Sequence, residues 1–161
     1  MKIDKDIYID VDGTLTRESL VDDGIGEFDQ VRDNAVEFIE FFVNNFKNVY
    51  WLSSNPRFCN EYLIKCGRKD LNDRVKYLYF KKSKCEAIDY SRAFYYFDDE
   101  IEYDYFNQFG LLKNEIPGWK QEPYKSMYNP SIHNMYYIPS NAPLDFLISV
   151  MEDIKKRENI R

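Results

Sequence analysis

Residues 7–16 read IYIDVDGTLT and join the pattern of a buried strand to an abrupt turn. The run from 7 to 10 is nearly continuous in apolar, β-rich residues, which is typical of a strand covered on both faces of its sheet. Gly13 lets the chain turn sharply, so that the acids Asp10 and Asp12 can face one site. The segment therefore predicts a buried strand that delivers two carboxylates to its C-terminal end.

Four further short runs have the same nearly continuous apolar character, and we predict strands at 49–53, 75–80, 94–98 and 135–138. Helical patterns alternate with the strands, and we predict helices at 34–46, 56–65, 83–91 and 143–157. This alternation favours a mostly parallel sheet with helices on both sides. The predicted fold class is α/β, a Rossmann-like three-layer α/β/α sandwich around a five-stranded, mostly parallel sheet.

Two of the helix predictions involve individual residues. Asp33 is predicted as the N-cap of the helix at 34–46, because an aspartate side chain can accept a hydrogen bond from a free N–H group of the first turn. In the helix at 143–157, apolar side chains recur at helical spacing and predict one buried face, which consists of Leu144, Leu147, Ile148 and Met151.

The length of 161 residues is that of one ordinary domain, and we predict a single domain over residues 1–161. Two segments do not fit the alternation of strands and helices. Residues 16–31 predict a loop or small hairpin. Residues 100–134 predict an insertion with some structure of its own, because a structureless loop of that length is uncommon in a compact domain.

The net charge, the length of the apolar stretches and the cysteine content argue against a membrane protein, a secreted protein and a general nucleic-acid binder. Lys and Arg number 22 against 28 Asp and Glu, so the net charge is −6 and the overall field repels nucleic acid and anionic membranes. No apolar stretch approaches the ~20 residues of a membrane span. The three cysteines lack C-x-x-C spacing and the sequence shows no secretory signal, so we predict a cytoplasmic protein without a membrane partner.

Polar side chains follow four of the predicted strands. Because the carboxyl ends of parallel strands meet at one edge of the sheet, where ligands bind, we expect these side chains to lie together. They are Asp10 and Asp12 after the first strand, Ser53 and Ser54 at the second, Lys82 and Lys84 after the third, and Asp98 and Asp99 at the fourth.

This combination of side chains suits phosphoryl transfer. Asp10 and Asp98 can bind Mg²⁺, which prefers hard oxygen ligands, and the metal offsets the repulsion between these carboxylates and a phosphate. Asp10 can then attack phosphorus and form an aspartyl-phosphate. Asp12 can protonate the leaving oxygen and later activate water. Ser53 and a lysine can bind the phosphate oxygens.

In these positions the chain resembles the hydrolases of the haloacid dehalogenase-like (HAD) superfamily. Residues 10–16, DVDGTLT, resemble the first motif of that family, DxDGTLT, in full. Residues 52–55 resemble the second motif, Lys84 or else Lys82 the lysine of the third, and residues 97–99 the fourth in its Asp-Asp form. The four motifs also occur in the order of the family, over residues 6 to 99.

The resemblance implies roles for the four acids. Asp10 is expected to be the nucleophile and Asp12 the general acid and base. Mg²⁺ is expected to be held by the Asp10 carboxylate, the Asp12 main-chain carbonyl and an acid of the fourth motif. We expect Asp98 to be the direct ligand of this last pair, with Asp99 bound directly or through water.

The resemblance also implies the residues that bind phosphate. Ser53 is expected to hold the phosphoryl group, with Ser54 as the alternative. Lys84 is expected to hold the phosphoryl group together with Asp10, with Lys82 as the alternative.

Within the family, Asp12 indicates a phosphatase, because the dehalogenases lack the second acid of the first motif. The site where the family inserts a cap after the first strand offers only a short flap, about 16–31, and the site between 80 and 84 has no room. We therefore expect a capless or minimally capped enzyme. The insertion at 100–134 follows the fourth motif, and we expect it beside the site.

The predicted function is that of a Mg²⁺-dependent phosphatase acting on a phosphorylated small molecule or nucleotide. One alternative is a nucleotidase or a polynucleotide-end phosphatase. Aromatic residues of the insertion, such as Trp119 and Tyr124, favour it, although the net charge of −6 disfavours a nucleic-acid end. The other alternative is a catalytically idle module that binds phosphate or a partner, which Asp12 disfavours because such a module needs no general acid.

Overall fold

The computed structural model describes residues 1–17, 30–54, 61, 63–82, 84–89, 91–100, 135–139 and 142–161. In chain order, the elements of these residues are strand β1 (Ile3–Ile9), strand β2 (Thr16–Arg17), strand β3 (Gln30–Val31), helix α1 (Ala35–Asn45), strand β4 (Phe46–Trp51), helix α2 (Lys69–Asn72), strand β5 (Lys76–Tyr77), a 3₁₀ helix (Lys84–Ala87), strand β6 (Phe94–Asp98), strand β7 (Met135–Tyr137) and helix α3 (Phe146–Glu158).

The main sheet has five strands in the order β5-β4-β1-β6-β7, and all of its described strand pairs are parallel. The central strand β1 has β4 and β5 on one side and β6 and β7, which come later in the chain, on the other. The chain thus adds strands first on one side of β1 and later on the other. In open parallel sheets, a crevice that can bind ligands lies beyond the carboxyl ends of the strands at the point where this order reverses. The predicted α/β class and parallel sheet are confirmed.

Successive residues of the central strands enter two separate cores, one on each face of the sheet. In β1, Ile7 and Ile9 join the large core, whereas Tyr8 between them joins a smaller one. In β6, Tyr95 joins the large core and Tyr96 the smaller. All five residues of β6 are buried. Burial of both faces explains why these strands are apolar at nearly every position.

Helices α1 and α3 pack against each other and complete the large core. The N-cap of α1 is Asn34 rather than Asp33, so that prediction is wrong. Asn34 has a φ of 62°, in the left-handed region that Asn tolerates, and it makes no side-chain capping bond. Asp33 instead donates its main-chain N–H to the carbonyl of Leu144, at 3.0 Å.

Helix α3 begins at Phe146 rather than at 143. A tight turn precedes it, in which the N–H of Phe146 donates to the carbonyl of Pro143 at 3.0 Å. Ile148 is exposed, so its predicted place on the buried face is wrong, and Leu144 lies before the helix. The predictions for Leu147 and Met151 are confirmed, and the buried face consists of Phe146, Leu147, Val150, Met151 and Ile154.

Two other elements are shorter than predicted. The third predicted strand, 75–80, is reduced to Lys76–Tyr77. The N–H of Leu78 still donates to the carbonyl of Trp51, but residues 78–80 are not part of the strand. The helix predicted at 83–91 is a single 3₁₀ turn, Lys84–Ala87. The short helix α2 was not predicted.

Part of the helix predicted at 56–65 lies outside the described residues, while 61 and 63–65 are helical. Strands β2 and β3 pair antiparallel, as in the small hairpin predicted at 16–31. Residues 18–29 of that segment and 101–134 of the insertion lie outside the described residues. None of the helices in the described ranges combines the length and the apolar character that crossing a bilayer requires.

Candidate active site

The site lies where β1 and β6 end side by side. The two strands are paired as far as Ile9 and Phe97, and the N–H of Asp10 then donates to the carbonyl of Phe97 at 3.0 Å. Asp10 and Asp98 therefore leave the sheet next to each other, at its carboxyl edge. Both are buried, with 3% of Asp10 and 0% of Asp98 exposed.

A lysine approaches both acids. Asp10 and Asp98 lie two residues after Tyr8 and Tyr96, so their side chains lie on the face of the smaller core. Ala87, the last residue of the 3₁₀ helix, and Ile88 after it pack in that core. Lys84, the first residue of that helix, donates from Nζ to Asp10 Oδ1 at 2.9 Å and to Asp98 Oδ2 at 2.7 Å.

The geometry therefore distinguishes the two candidate lysines. Lys84 is buried and contacts both acids, whereas Lys82 is exposed. Of the two, Lys84 is the one positioned to act in the site.

Asp99 completes a cluster of three acids. One carboxylate oxygen from each of Asp10, Asp98 and Asp99 lies within 4.8 Å of the others. The Asp99 carboxylate packs directly against Gly13, where a Cβ atom would lie 2.2 Å from Asp99 Oδ2. Gly13 also has a φ of +81°, so both its backbone conformation and its contact with Asp99 require glycine.

The turn after β1 holds the second oxygen of Asp10. The hydroxyl of Thr14 donates to Asp10 Oδ2 at 3.1 Å. The turn itself is closed by a main-chain bond from Leu15 to Val11 at 2.9 Å and by a bond from the N–H of Gly13 to the hydroxyl of Thr16 at 3.0 Å. Because Lys84 holds Oδ1, both oxygens of Asp10 have a fixed donor.

The cluster contains more negative than positive charge. Burial, followed by the charge of Asp98, raises the pKa of Asp10 to about 7, although Lys84 opposes the shift. Burial and the charges of Asp98 and Asp10 raise the pKa of Asp99 to about 10. Burial alone would lower the pKa of Lys84, but the charges of Asp98 and Asp10 outweigh it and raise that pKa. The described cluster thus holds three acids and one ammonium group, which pairs with two of them.

The donor set fits a hard divalent cation. Three carboxylate oxygens at these separations are the type of ligand that Mg²⁺ takes, usually together with several waters. A divalent cation would also supply the positive charge that the cluster lacks. Asp10, Asp98 and Asp99 are therefore the residues that could hold it.

The other predicted site residues lie around this cluster. Asp12 follows Val11 in the turn and is exposed, and its carboxylate is not among the three clustered acids. Ser53 is buried just after β4, and its main-chain carbonyl accepts a hydrogen bond from the Tyr77 hydroxyl at 3.1 Å. Ser54 is exposed. Burial beside the carboxyl edge favours Ser53 over Ser54 as the residue that belongs to the site.

Sequence reasoning missed Arg32, which lies beneath the turn and is only 2% exposed. Its guanidinium donates to the carbonyls of Thr14 at 2.9 Å and Gly13 at 3.1 Å. It also donates to carbonyls of the segment before α3, those of Pro139, Ala142 and Pro143, at 2.8 to 3.0 Å. Arg32 thus joins the turn of the site to the C-terminal part of the chain.

Comparison with known proteins adds no relative to this description. No protein-family model, curated protein or solved structure matches the chain. The function is therefore inferred from the sequence motifs and from the geometry of the site.

Proposed function

We propose that the protein is a Mg²⁺-dependent phosphatase of the HAD type, which hydrolyses a phosphate monoester through an aspartyl-phosphate on Asp10. The observation that carries this function is the meeting of Asp10, Asp98, Asp99 and Lys84 in one buried cluster beyond the ends of β1 and β6. A three-layer Rossmann-like sandwich with a minimal cap is the architecture that the resemblance associates with this activity.

The three clustered acids would hold the metal. Asp10, Asp98 and Asp99 each offer an oxygen, and the main-chain carbonyl of Asp12 is the further ligand that the resemblance implies. When bound, Mg²⁺ supplies the positive charge that allows a phosphate group to approach these carboxylates.

Asp10 is the proposed nucleophile. One of its oxygens forms a bond to phosphorus, and the bond from phosphorus to the leaving oxygen breaks. Lys84 and Thr14 hold the two Asp10 oxygens at 2.9 Å and 3.1 Å, so the carboxylate is oriented before a substrate arrives. Such prior orientation lowers the barrier, because the attacking group need not be ordered during the reaction.

Asp12 is the proposed general acid and base. It donates a proton to the leaving oxygen in the first step. In the second step it takes a proton from water, whose oxygen attacks phosphorus and breaks the bond to Asp10. Its exposed position in the turn supports this role, because the leaving group of an incoming substrate is still partly in solvent.

Lys84 and Ser53 are the proposed phosphate-binding residues. Lys84 already contacts Asp10, so its ammonium lies next to the atom where the phosphoryl group is transferred. Ser53 follows β4, the neighbour of β1 in the sheet, and offers a hydroxyl at the same edge. Both can donate hydrogen bonds to phosphate oxygens.

The substrate class that we propose is a phosphorylated small molecule or a nucleotide, met in the cytoplasm. The net charge of −6 disfavours the end of a nucleic acid. A panel of phosphorylated metabolites, nucleotides and oligonucleotide ends would rank these classes by kcat/KM.

The activity itself is tested with p-nitrophenyl phosphate. The purified protein is expected to hydrolyse this ester with Mg²⁺ and to lose the activity in EDTA. Asp10→Asn is expected to abolish turnover, because the amide is a poor nucleophile. Asp6→Asn is the matched control, since Asp6 is a buried aspartate on the same face of β1 but in the middle of the strand, away from the cluster.

Turnover that survives in Asp10→Asn would contradict the proposed nucleophile. If the folded Asp6→Asn protein lost as much hydrolytic activity as Asp10→Asn, the loss would not be specific to Asp10. Wild-type protein that hydrolyses no phosphate ester, yet binds phosphate or a partner, would favour the idle binding module instead.

A further inference from the structure

In the part of the chain that the structure describes, the carboxylate of Asp98 accepts hydrogen bonds from Tyr96, Lys84 and Glu100. Its Oδ2 accepts bonds from the buried hydroxyl of Tyr96 and from Lys84 Nζ, the latter at 2.7 Å. Its Oδ1 accepts one bond from the main-chain N–H of Glu100, at 2.9 Å. The two oxygens of Asp98 therefore have unequal surroundings.

This difference determines how Asp98 can meet a metal ion. A carboxylate has about four lone-pair positions, roughly two on each oxygen. Among the described residues, Tyr96 and Lys84 occupy both positions on Oδ2, whereas the main-chain N–H of Glu100 takes one of the two positions on Oδ1. Asp98 can thus offer one oxygen to a cation but not both.

The place of Tyr96 follows from the strand. It lies two residues before Asp98 in β6, so both side chains stand on the same face of the sheet. Its ring is 0% exposed and packs in the smaller core with Tyr8, Leu52, Ile88 and Phe94. A ring packed in this way keeps its hydroxyl at Asp98.

We propose that Tyr96 is a positioning residue that makes Asp98 a single-oxygen ligand and so favours Mg²⁺ over Ca²⁺. This inference rests on the metal site of the proposed function. Mg²⁺ takes six ligands at short distances in near-octahedral order, to which a carboxylate usually gives one oxygen. Ca²⁺ takes six to eight oxygens and readily accepts both oxygens of one carboxylate. Blocking Oδ2 therefore penalises Ca²⁺ more than Mg²⁺.

The substitution Tyr96→Phe isolates this effect, because it removes the hydroxyl and keeps the ring. One lone-pair position of Oδ2 becomes open, and the carboxylate loses part of its orientation. Changes in groups that orient metal ligands typically cost about 10- to 100-fold in metal affinity. We expect Mg²⁺ binding to weaken about tenfold, at the lower end of that range, while Ca²⁺ binding is kept.

Tyr95→Phe is the matched control. Tyr95 is the preceding residue of the same strand, is also buried, and donates its hydroxyl to a carboxylate, Glu158 Oε1, at 2.7 Å. It belongs to the large core on the other face of the sheet. The same chemical change is thus made one residue away, outside the metal site.

Isothermal titration calorimetry with MgCl₂ and with CaCl₂ tests the inference on the wild-type protein and both variants, without any substrate. The ratio of the Ca²⁺ Kd to the Mg²⁺ Kd is expected to fall about tenfold in Tyr96→Phe and to stay at the wild-type value in Tyr95→Phe. An unchanged ratio in Tyr96→Phe, or the same fall in Tyr95→Phe, would overturn the role of Tyr96 alone. Wild-type protein that binds no Mg²⁺ would overturn the proposed metal site and this inference together.

Discussion

Two buried aspartates on the same face of β1 have opposite electrostatic surroundings. Asp6, in the middle of β1 and level with the start of β6, accepts hydrogen bonds from Arg92 Nε at 3.0 and 3.1 Å and from Asn48 at 2.9 Å. The exposed Asp4 pairs with the same guanidinium at 2.7 Å and with Lys47 at 3.4 Å, so two carboxylates face two cations there. Asp10, just after the end of the strand, shares the ammonium of Lys84 with Asp98, and the carboxylate of Asp99 lies in the same cluster.

Under the proposed function, this difference separates an aspartate that stabilises the fold from one that binds a ligand. A buried carboxylate that is paired with one cation and fully hydrogen-bonded is already compensated. A buried cluster with surplus negative charge must bind protons or a cation to reach the same balance. The charges at the amino edge of the sheet are therefore balanced by the protein itself, whereas we propose that those at the carboxyl edge are balanced by a bound cation.

The largest effect is expected from Arg32→Met. The substitution removes all five hydrogen bonds of the guanidinium, and the carbonyls of Pro139 and Pro143 keep a second main-chain donor. The buried carbonyls of Gly13, Thr14 and Ala142 lose the donor that Arg32 gives them, each at a cost of about 1–3 kcal/mol, which together is a large part of the stability of a domain. We expect the variant to be largely unfolded by circular dichroism at room temperature. Arg92→Met, which removes the partly exposed arginine at the amino edge, is expected to remain folded. Wild-type melting of Arg32→Met would show that the turn does not depend on this residue.

The next effect is expected from Lys84→Met, which removes the only cation that contacts Asp10 and Asp98 among the described residues. Loss of one partner of a buried pair costs about 3–5 kcal/mol, and we expect this loss in urea unfolding with EDTA present. Mg²⁺ is expected to restore part of it, because the ion replaces the missing charge. Lys82→Met serves as the control, since Lys82 is exposed. Equal losses in the two variants, or no recovery with Mg²⁺, would contradict the account.

A smaller effect separates two glycines with positive φ. Gly13 and Gly67 have φ values of +81° and +74°, but an added Cβ meets Asp99 only at Gly13 and nothing within 4 Å at Gly67. Alanine at either position costs about 1–2 kcal/mol for the left-handed backbone. Gly13→Ala is expected to lose more than this and to weaken Mg²⁺ binding, whereas Gly67→Ala leaves that binding unchanged. Calorimetry on both variants checks the difference, which would be absent if Asp99 were not part of the site.

The most gradual effect is the pH dependence of stability in the metal-free protein, which accumulates over several pH units. The pKa of Asp10 rises from 3.8 to about 7 on folding, so between these values the folded chain keeps a proton that the unfolded chain has lost. Stability therefore falls as the pH rises through this range, by at most about 1.4 kcal/mol per pH unit for each such group. Saturating Mg²⁺ is expected to flatten the slope in thermal melts at pH 5 to 8. A stability that rises with pH in EDTA would contradict the assignment.

Much of this comparison was accessible from the sequence. Continuous apolar runs predicted the central strands, because burial of both faces removes alternation, and the DVDGTLT and Phe97-Asp98-Asp99 segments predicted acids at adjacent strand ends. The sequence alone could not decide between Lys84 and Lys82, because both follow the third strand, and the structure was needed to distinguish them. Only the 3₁₀ turn brings one of the two lysines against Asp10 and Asp98.

Other features had little or no local signal. The carbonyls that bind Arg32 lie 18 and 19 residues before it and 107 to 111 residues after it, so no motif around Arg32 reveals them. Asp33 was predicted as the N-cap because aspartate is common at that position. The helix begins one residue later, so Asn34 is the N-cap, and the N–H of Asp33 bonds to the carbonyl of Leu144. Tyr96 had a usable signal, since a tyrosine two positions before a strand-end acid shares its face.

The phosphoryl group on Asp10 is the most direct object to measure. Protein mixed with p-nitrophenyl phosphate and Mg²⁺ and quenched rapidly in acid can be digested and examined by mass spectrometry. The account predicts one phosphoryl group on the peptide that contains Asp10, absent in EDTA and absent in Asp10→Asn. A phosphoryl group on another residue, or product release without any phosphorylated peptide by an active Asp10→Asn protein, would contradict it.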